Sequence, residues 1–114
     1  MKDDAVFLKH ILESVEWIEK DIQGLTEEEF LKNVPIQDAV LRRLEIIGEA
    51  VRNLSDELKE KHSEIAWNKA MATRNILVHN YFGVDLPIVW DTITSSLPEF
   101  KEQIKKILQK LDKN

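Results

Sequence analysis

The sequence predicts an all-α fold, and three observations carry that expectation. Glycine and proline number only three each in 114 residues, too few turn formers for a sandwich or a barrel. Leu, Ile, Glu and Lys dominate the composition. Apolar residues recur at three- and four-residue steps along most of the chain, the period of a helix with one buried face. A chain of this length supports one modest core, so residues 1–114 are read as a single domain without repeats, linkers or low-complexity tracts.

The first element runs from Asp4 to about Gln23, with Phe7, Ile11, Val15, Ile18 and Ile22 as its inward stripe, Asp3 or Asp4 as cap and Gly24 as stop. Thr26-Glu27-Glu28-Glu29 is a capping box for a short second helix that turns Phe30 and Leu31 inward and ends before Pro35. Pro35 suits the first turn of a third helix, whose stripe is Val40, Leu44, Ile47, Val51 and Leu54. Gly48 interrupts that helix at a cost of roughly 1 kcal/mol relative to alanine, which close helix–helix approach would offset. Ser55 to about His62 reads as a brief helical turn, and Ile65 to about His79 as a fourth helix, broken off at Gly83. Asp85 caps a fifth, bearing Leu86, Val89, Trp90 and Ile93, with Pro87 tolerated in its first turn. Pro98 starts a sixth, striped by Phe100, Ile104, Ile107 and Leu111. The expectation is therefore a bundle of about five to six helices.

Composition removes several kinds of chemistry. The chain has no cysteine, which excludes disulfides, thiolate nucleophiles and cysteine-ligated zinc or iron–sulfur centres. No run approaches the ~20 apolar residues of a membrane span, and the Met-Lys-Asp-Asp start lacks the apolar stretch of a signal peptide, so a soluble cytoplasmic protein is expected. The formal net charge of −5 is the wrong sign for a surface that binds nucleic acid everywhere. The imbalance sits early: residues 1–30 set three lysines against nine carboxylates. Any RNA contact must be local. His10, His62 and His79 have no helical pairing at metal spacing, His10 and His62 are expected at the surface, and there is no Gly-rich phosphate loop.

The segment from Arg74 to Tyr81 is where chemistry concentrates. Trp67, Met71, Arg74, Val78 and Tyr81 follow one another at steps of four, three, four and three, so an arginine sits inside an otherwise apolar stripe. It either pairs with Glu45 or Glu49, or it is held in a cleft or interface to meet a phosphate bidentately. His79 lies five residues after Arg74, about 140° away around a continuous helix. The two therefore do not share a face within one chain. Either the helix ends near Val78, or Arg74 and His79 meet their counterparts from a second subunit across a two-fold axis. Asn75, four residues before His79, does share its face and can orient the imidazole. His79 could equally be a structural cap, and Tyr81 could simply pack its ring and leave its hydroxyl wet. Arg42, Glu45 and Glu49 form a row opposite the core stripe, read as a solvated charge row or buttress.

An arginine, four intervening residues, a histidine, one residue and a tyrosine: in this order Arg74, His79 and Tyr81 resemble the hallmark of the HepT-like toxins of the HEPN superfamily. The likeness extends along the chain. The stretch Ala39-Val40-Leu41-Arg42-Arg43-Leu44-Glu45-Ile46-Ile47-Gly48-Glu49-Ala50 is similar to the family's second characteristic segment. Trp67, Met71-Ala72-Thr73-Arg74-Asn75, His79-Asn80-Tyr81, Val84-Asp85, Val89-Trp90 and Leu97-Pro98 follow in the family's order. Thr73 departs from it, standing where the family often has a residue such as methionine.

The resemblance implies a HEPN-type helical bundle and a metal-independent endoribonuclease toxin without cofactor. RNA carries its own nucleophile: a neutral imidazole can take the 2′-hydroxyl proton while a guanidinium stabilises charge on the phosphate, leaving a 2′,3′-cyclic phosphate and a 5′-hydroxyl. The resemblance gives His79 the acid–base role, Arg74 the phosphate clamp and Asn75 a positioning role, in a composite cleft of a homodimer, with higher assemblies left open. It also implies a cognate MntA-like minimal nucleotidyltransferase antitoxin that modifies Tyr81 with AMP. The alternative is a non-catalytic HEPN accessory module that binds nucleotide beside a nucleotidyltransferase, which the acidic surface suits. A plain dimerisation domain with a degenerate site is a third reading, against which the intact Arg74, His79 and Tyr81 argue.

Overall fold

The computed structural model describes residues 2–72 and 83–112, and every regular element among them is helical. Helix α1, Lys2–Ile22, turns Leu8, Ile11, Val15 and Ile18 fully inward, with Phe7 and Ile22 on the flanks of that row. The expected stripe thus lacked Leu8, the residue that continues the row toward the N-terminus. Gly24 ends the helix with φ of 79°, a left-handed conformation that glycine adopts without strain.

Thr26 caps α2, Glu27–Lys32, in the expected reciprocal box: its Oγ1 accepts from Glu29 N at 3.1 Å and its own N–H donates to Glu29 Oε1 at 2.9 Å. Those bonds hold the Glu29 carboxyl below its ordinary range. Phe30 is fully buried, but Leu31, also expected inward, is 38% exposed. Neighbouring positions lie about 100° apart on a helix, so an element of one and a half turns cannot bury both.

Helix α3, Val34–Arg52, starts on the Asn33 side chain, which accepts from Ile36 N at 3.1 Å, and carries Pro35 in its first turn. Val40, Leu44, Ile47 and Val51 are buried as predicted, as is Leu54 just beyond the helix. Gln37 is buried too, and its amide donates to the Phe30 carbonyl at 2.9 Å, a second donor beside the Asn33 N–H that closes α2. The turn expected at 55–62 is a short helix, α4, Asp56–Lys61, whose cap Ser55 accepts from Leu58 N at 3.1 Å.

Asp4 is not the cap of α1 that the sequence suggested. It lies inside the helix, 2% exposed, and its carboxylate accepts from Ser55 N at 2.8 Å and Ser55 Oγ at 2.7 Å. One carboxylate thus fixes the serine that caps α4. Burial pushes the Asp4 carboxyl up, but the hydrogen bonds it receives, led by those from Ser55, outweigh it and leave the pKa below the ordinary value.

Residues 67–72 are helical and are called α5. Asp85 caps α6, Leu86–Asp91, by accepting from Ile88 N at 3.2 Å. The break expected at Pro98 is absent. A π-helical turn, Thr92–Ser96, joins α6 directly to α7, Leu97–Asp112. Leu97 N–H bonds back five residues to Thr92 O. The wider turn makes room for the Pro98 ring, which would otherwise meet the carbonyl four residues back, while Thr92 and Thr94 hydroxyls donate to Ile88 O at 2.9 Å and Trp90 O at 2.7 Å.

Helix α1 packs along α3 on one side and α7 on the other, where Ile104 and Ile107 are buried and Lys101 Nζ reaches Glu19 Oε1 at 2.8 Å. Glu19 holds the Lys101 ammonium above its ordinary pKa. The Phe30 and Trp90 rings, 5.2 Å apart, bring α2 onto α6.

Asp4→Ala should lower the free energy of unfolding by about 1.5–3 kcal/mol, the usual worth of hydrogen bonds to a charged acceptor, read by urea denaturation. Because folding lowers the Asp4 pKa, its contribution is complete above the unfolded carboxyl's value and is lost as pH falls through the folded value. Asp4→Asn should therefore flatten the acid limb of the stability profile, and an unchanged limb would remove Asp4 from this role.

Candidate active site

The run from Arg74 to Tyr81 enters from a helix that is firmly seated. Ile65 and Trp67 are buried, and the Trp67 indole N–H donates to His62 O at 3.0 Å. Its ring meets Phe100 of α7 edge-on, 5.9 Å between centroids. Met71 packs against the core one turn later. Of the predicted stripe, then, Trp67 and Met71 face inward. Arg74, Val78 and Tyr81, together with Asn75 and His79, lie outside the described residues. On the far side, Val84 and Leu86 rest against the core, Asp85 caps α6 and Trp90 packs at a tilt against Phe30. The candidate segment therefore joins a helix fixed on α7 to one fixed on α2.

The charged row on α3 is an exposed surface feature in its first half. Arg42 Nη1 lies 3.7 Å from Glu45 Oε2, with the two side chains 67% and 38% exposed, so screening keeps the pair's contribution small. Glu49 is reached by Asn53 Nδ2, which donates to its carbonyl at 2.8 Å and lies 3.4 Å from Oε1. His10 is exposed as expected and meets Phe7 edge-on. His62 is not a surface residue: its side chain is only 14% exposed, with Nδ1 3.9 Å from Glu64 Oε2, because the turn before α5 folds it against the body of the protein. Among the described residues no three His, Cys, Asp or Glu side chains gather at metal-binding distance, and no helix is long and apolar enough to cross a membrane.

Two features escaped the sequence. The indole of Trp17 is 44% exposed with Lys20 Nζ at 5.0 Å and the Arg43 guanidinium at 5.5 Å from its centroid. A groove also opens where α3, α5, the π-helical turn and α7 meet. The only sequence signal for it is the Thr-Ile-Thr-Ser-Ser run ahead of Pro98, whose hydroxyls can bond back to the helix.

An all-α bundle of HEPN type is the class that the described helices define. The chain belongs to the HepT-like ribonuclease family, whose description, ribonuclease HepT-like, matches residues 11–107. It is 44% identical over 110 residues to "Putative RNase TTE0752" of Caldanaerobacter subterraneus subsp. tengcongensis, covering 96% of this chain and 98% of that one. It is 39% identical over 101 residues to "Probable ribonuclease HepT" of Thermococcus cleftensis, covering 89% and 92%. "Gamma-glutamylcyclotransferase and putative RNase MJ0434" of Methanocaldococcus jannaschii is 47% identical over 113 residues, where the chain spans 99% of its own length but only 51% of that relative. No solved structure matches the chain.

Trp67→Phe keeps the ring and removes the indole donor, so unfolding should become easier by about 1 kcal/mol, the net worth of one hydrogen bond. Hydrogen exchange should quicken in 67–72 more than in α1; equal protection in both would show that this bond does not seat α5.

Proposed function

We infer that the protein is a metal-independent endoribonuclease that cuts RNA by attack of the substrate's own 2′-hydroxyl. The observation that carries this reading is family membership over a span that contains Arg74, His79 and Tyr81 at the family's spacing. RNase in the names of the relatives supports the same substrate class. His79 is the acid–base group, Arg74 neutralises the phosphate and Asn75 orients the imidazole. Arg74 and His79 are about 140° apart on a continuous helix, so two copies of the chain would complete the cleft across a two-fold axis. The acidic first thirty residues disfavour RNA on that part of the surface, so contact with it would be local.

Two regulatory elements belong to the same reading. The protein is the toxin of a toxin–antitoxin pair, and a minimal nucleotidyltransferase silences it by attaching AMP to Tyr81. The added phosphodiester would occupy the Arg74 guanidinium and repel an RNA phosphate. The acidic surface favours a second reading, a non-catalytic module that binds nucleotide beside such a transferase.

In excess EDTA the purified protein should cleave single-stranded RNA, and His79→Ala and Arg74→Ala should each lower the rate about 10²–10⁴-fold with helicity retained by circular dichroism. Losses under threefold, or a strict metal requirement, would assign these residues to structure and favour the accessory module. Sedimentation should show a dimer, and monomer alone would exclude a shared cleft. With its transferase, ATP and magnesium, the protein should gain mass in multiples of AMP on the Tyr81 peptide and lose cleavage. Tyr81→Phe should resist both changes while still cutting RNA, and inhibition that persists in it would point to another route.

A further inference from the structure

The groove between α3, α5, the π-helical turn and α7 has a volume of about 200 Å³. Its floor is apolar and belongs to the core: Leu44, Ile47 and Leu97 are buried there, with Phe100 half-buried beside them. Half-buried Thr92, Ser96 and Gln103 stand around the floor, and the exposed side chains of Glu64, Lys69 and Glu99 form the mouth. An apolar base with a few convergent polar groups is the usual form of a small-molecule site. Such sites commonly exceed ~300 Å³ for a whole small ligand, so this one accommodates a single ring system and not a nucleotide.

The polar groups select what that ring must offer. The Thr92 hydroxyl spends its proton on Ile88 O at 2.9 Å and can only accept from a ligand. Glu64 and Glu99 also only accept, whereas Lys69 is the one obligate donor at the mouth; the two carboxylates outnumber it, which disfavours a phosphate there. Ser96 and Gln103 can give or take. The lining is therefore rich in acceptors, and a ligand must present N–H donors along its edge. Among flat heteroaromatics, guanine meets a carboxylate with two parallel donors, N1–H and its amine, whereas uracil has one ring N–H and no amine. The π-helical turn sets this wall, since its wider register places Thr92 and Ser96 on one side of the groove.

We propose that this groove is a nucleobase subsite that takes one unpaired base with an exocyclic amine, guanine above the others. The assignment rests on the ribonuclease reading for its role. Helix α5 lines the groove with Lys69 and Ala70 and directly precedes residues 73–82 in the chain, so a base seated here would belong to the RNA strand that the proposed segment cuts. Sequence-selective recognition of RNA favours such single-stranded, splayed bases.

Titration of the intact protein with guanosine, adenosine, cytidine and uridine, followed by NMR, tests this without requiring cleavage. The Trp67 indole N–H, next to Phe100, and the Ala70 methyl are the reporters. Guanosine should shift both most, adenosine and cytidine less, and uridine not at all. Ala70→Leu, which fills the groove, and Gln103→Leu should each weaken guanosine binding about tenfold or more with helicity unchanged. If Ala70→Leu fails to fold, Gln103→Leu decides. Unmoved reporters, equal shifts with uridine, or full binding in the variants would overturn the subsite. A protein that cuts RNA but does not bind guanosine keeps the ribonuclease and loses the groove. One that binds guanosine and cuts nothing loses the RNA role and becomes a nucleoside-binding module.

Discussion

One constraint governs the rest of the structure: α1 must be covered on two sides at once. Leu8, Ile11, Val15 and Ile18 are fully buried, and Phe7 and Leu12 on either side of them also pack against the core, a face wider than one neighbouring helix covers. Helix α3 covers one flank and α7 the other, which brings the chain's middle and end against its beginning. Each fully buried aliphatic side chain contributes about 1.5–3 kcal/mol relative to exposure, far more than any surface pair in the molecule. The polar ties at the two ends of α1 follow from that packing. Asp4 reaches Ser55 and Glu19 reaches Lys101 because the helices already lie side by side.

The same arrangement determines where chemistry can sit. With α1, α3 and α7 forming most of the core, α5 and α6 lie against it, held by buried Trp67 and Val89 and by the ring contacts of Trp67 with Phe100 and Trp90 with Phe30. The chain between them carries Arg74, Asn75, His79 and Tyr81. If that segment carries the reaction, as proposed, the helices on either side of it would position it.

The fold was largely legible, and for stated reasons. Periodicity located Val40, Leu44, Ile47 and Val51, and the Thr26 and Asp85 caps appeared where short polar side chains precede acidic or apolar runs. What was missed depended on tertiary partners. Asp4 looks like a cap until Ser55, fifty-one residues away, claims its carboxylate. Pro98 looks like a helix start, because a π-helical turn that tolerates proline leaves almost no local signature. Leu31 and His62 were misplaced because a helix of six residues and a turn do not average out their neighbours. The groove had no signal beyond the Thr92–Ser96 run, since its walls come from three separate parts of the chain. The candidate residues were visible only as a spacing, Arg74 to His79 to Tyr81, whose meaning came from likeness to a family; the described residues place the flanks of that segment and not its side chains.

In the proposed reaction the RNA would supply its own nucleophile beside His79 and Arg74. Product analysis in EDTA, on paired oligonucleotides that differ only by a 2′-deoxy sugar at the cleaved position, measures this directly. The ribose substrate should yield a 2′,3′-cyclic phosphate and a 5′-hydroxyl, and the deoxy substrate should stay intact at that site. Cleavage of the deoxy substrate, or products ending in a 3′-hydroxyl and a 5′-phosphate, would contradict it.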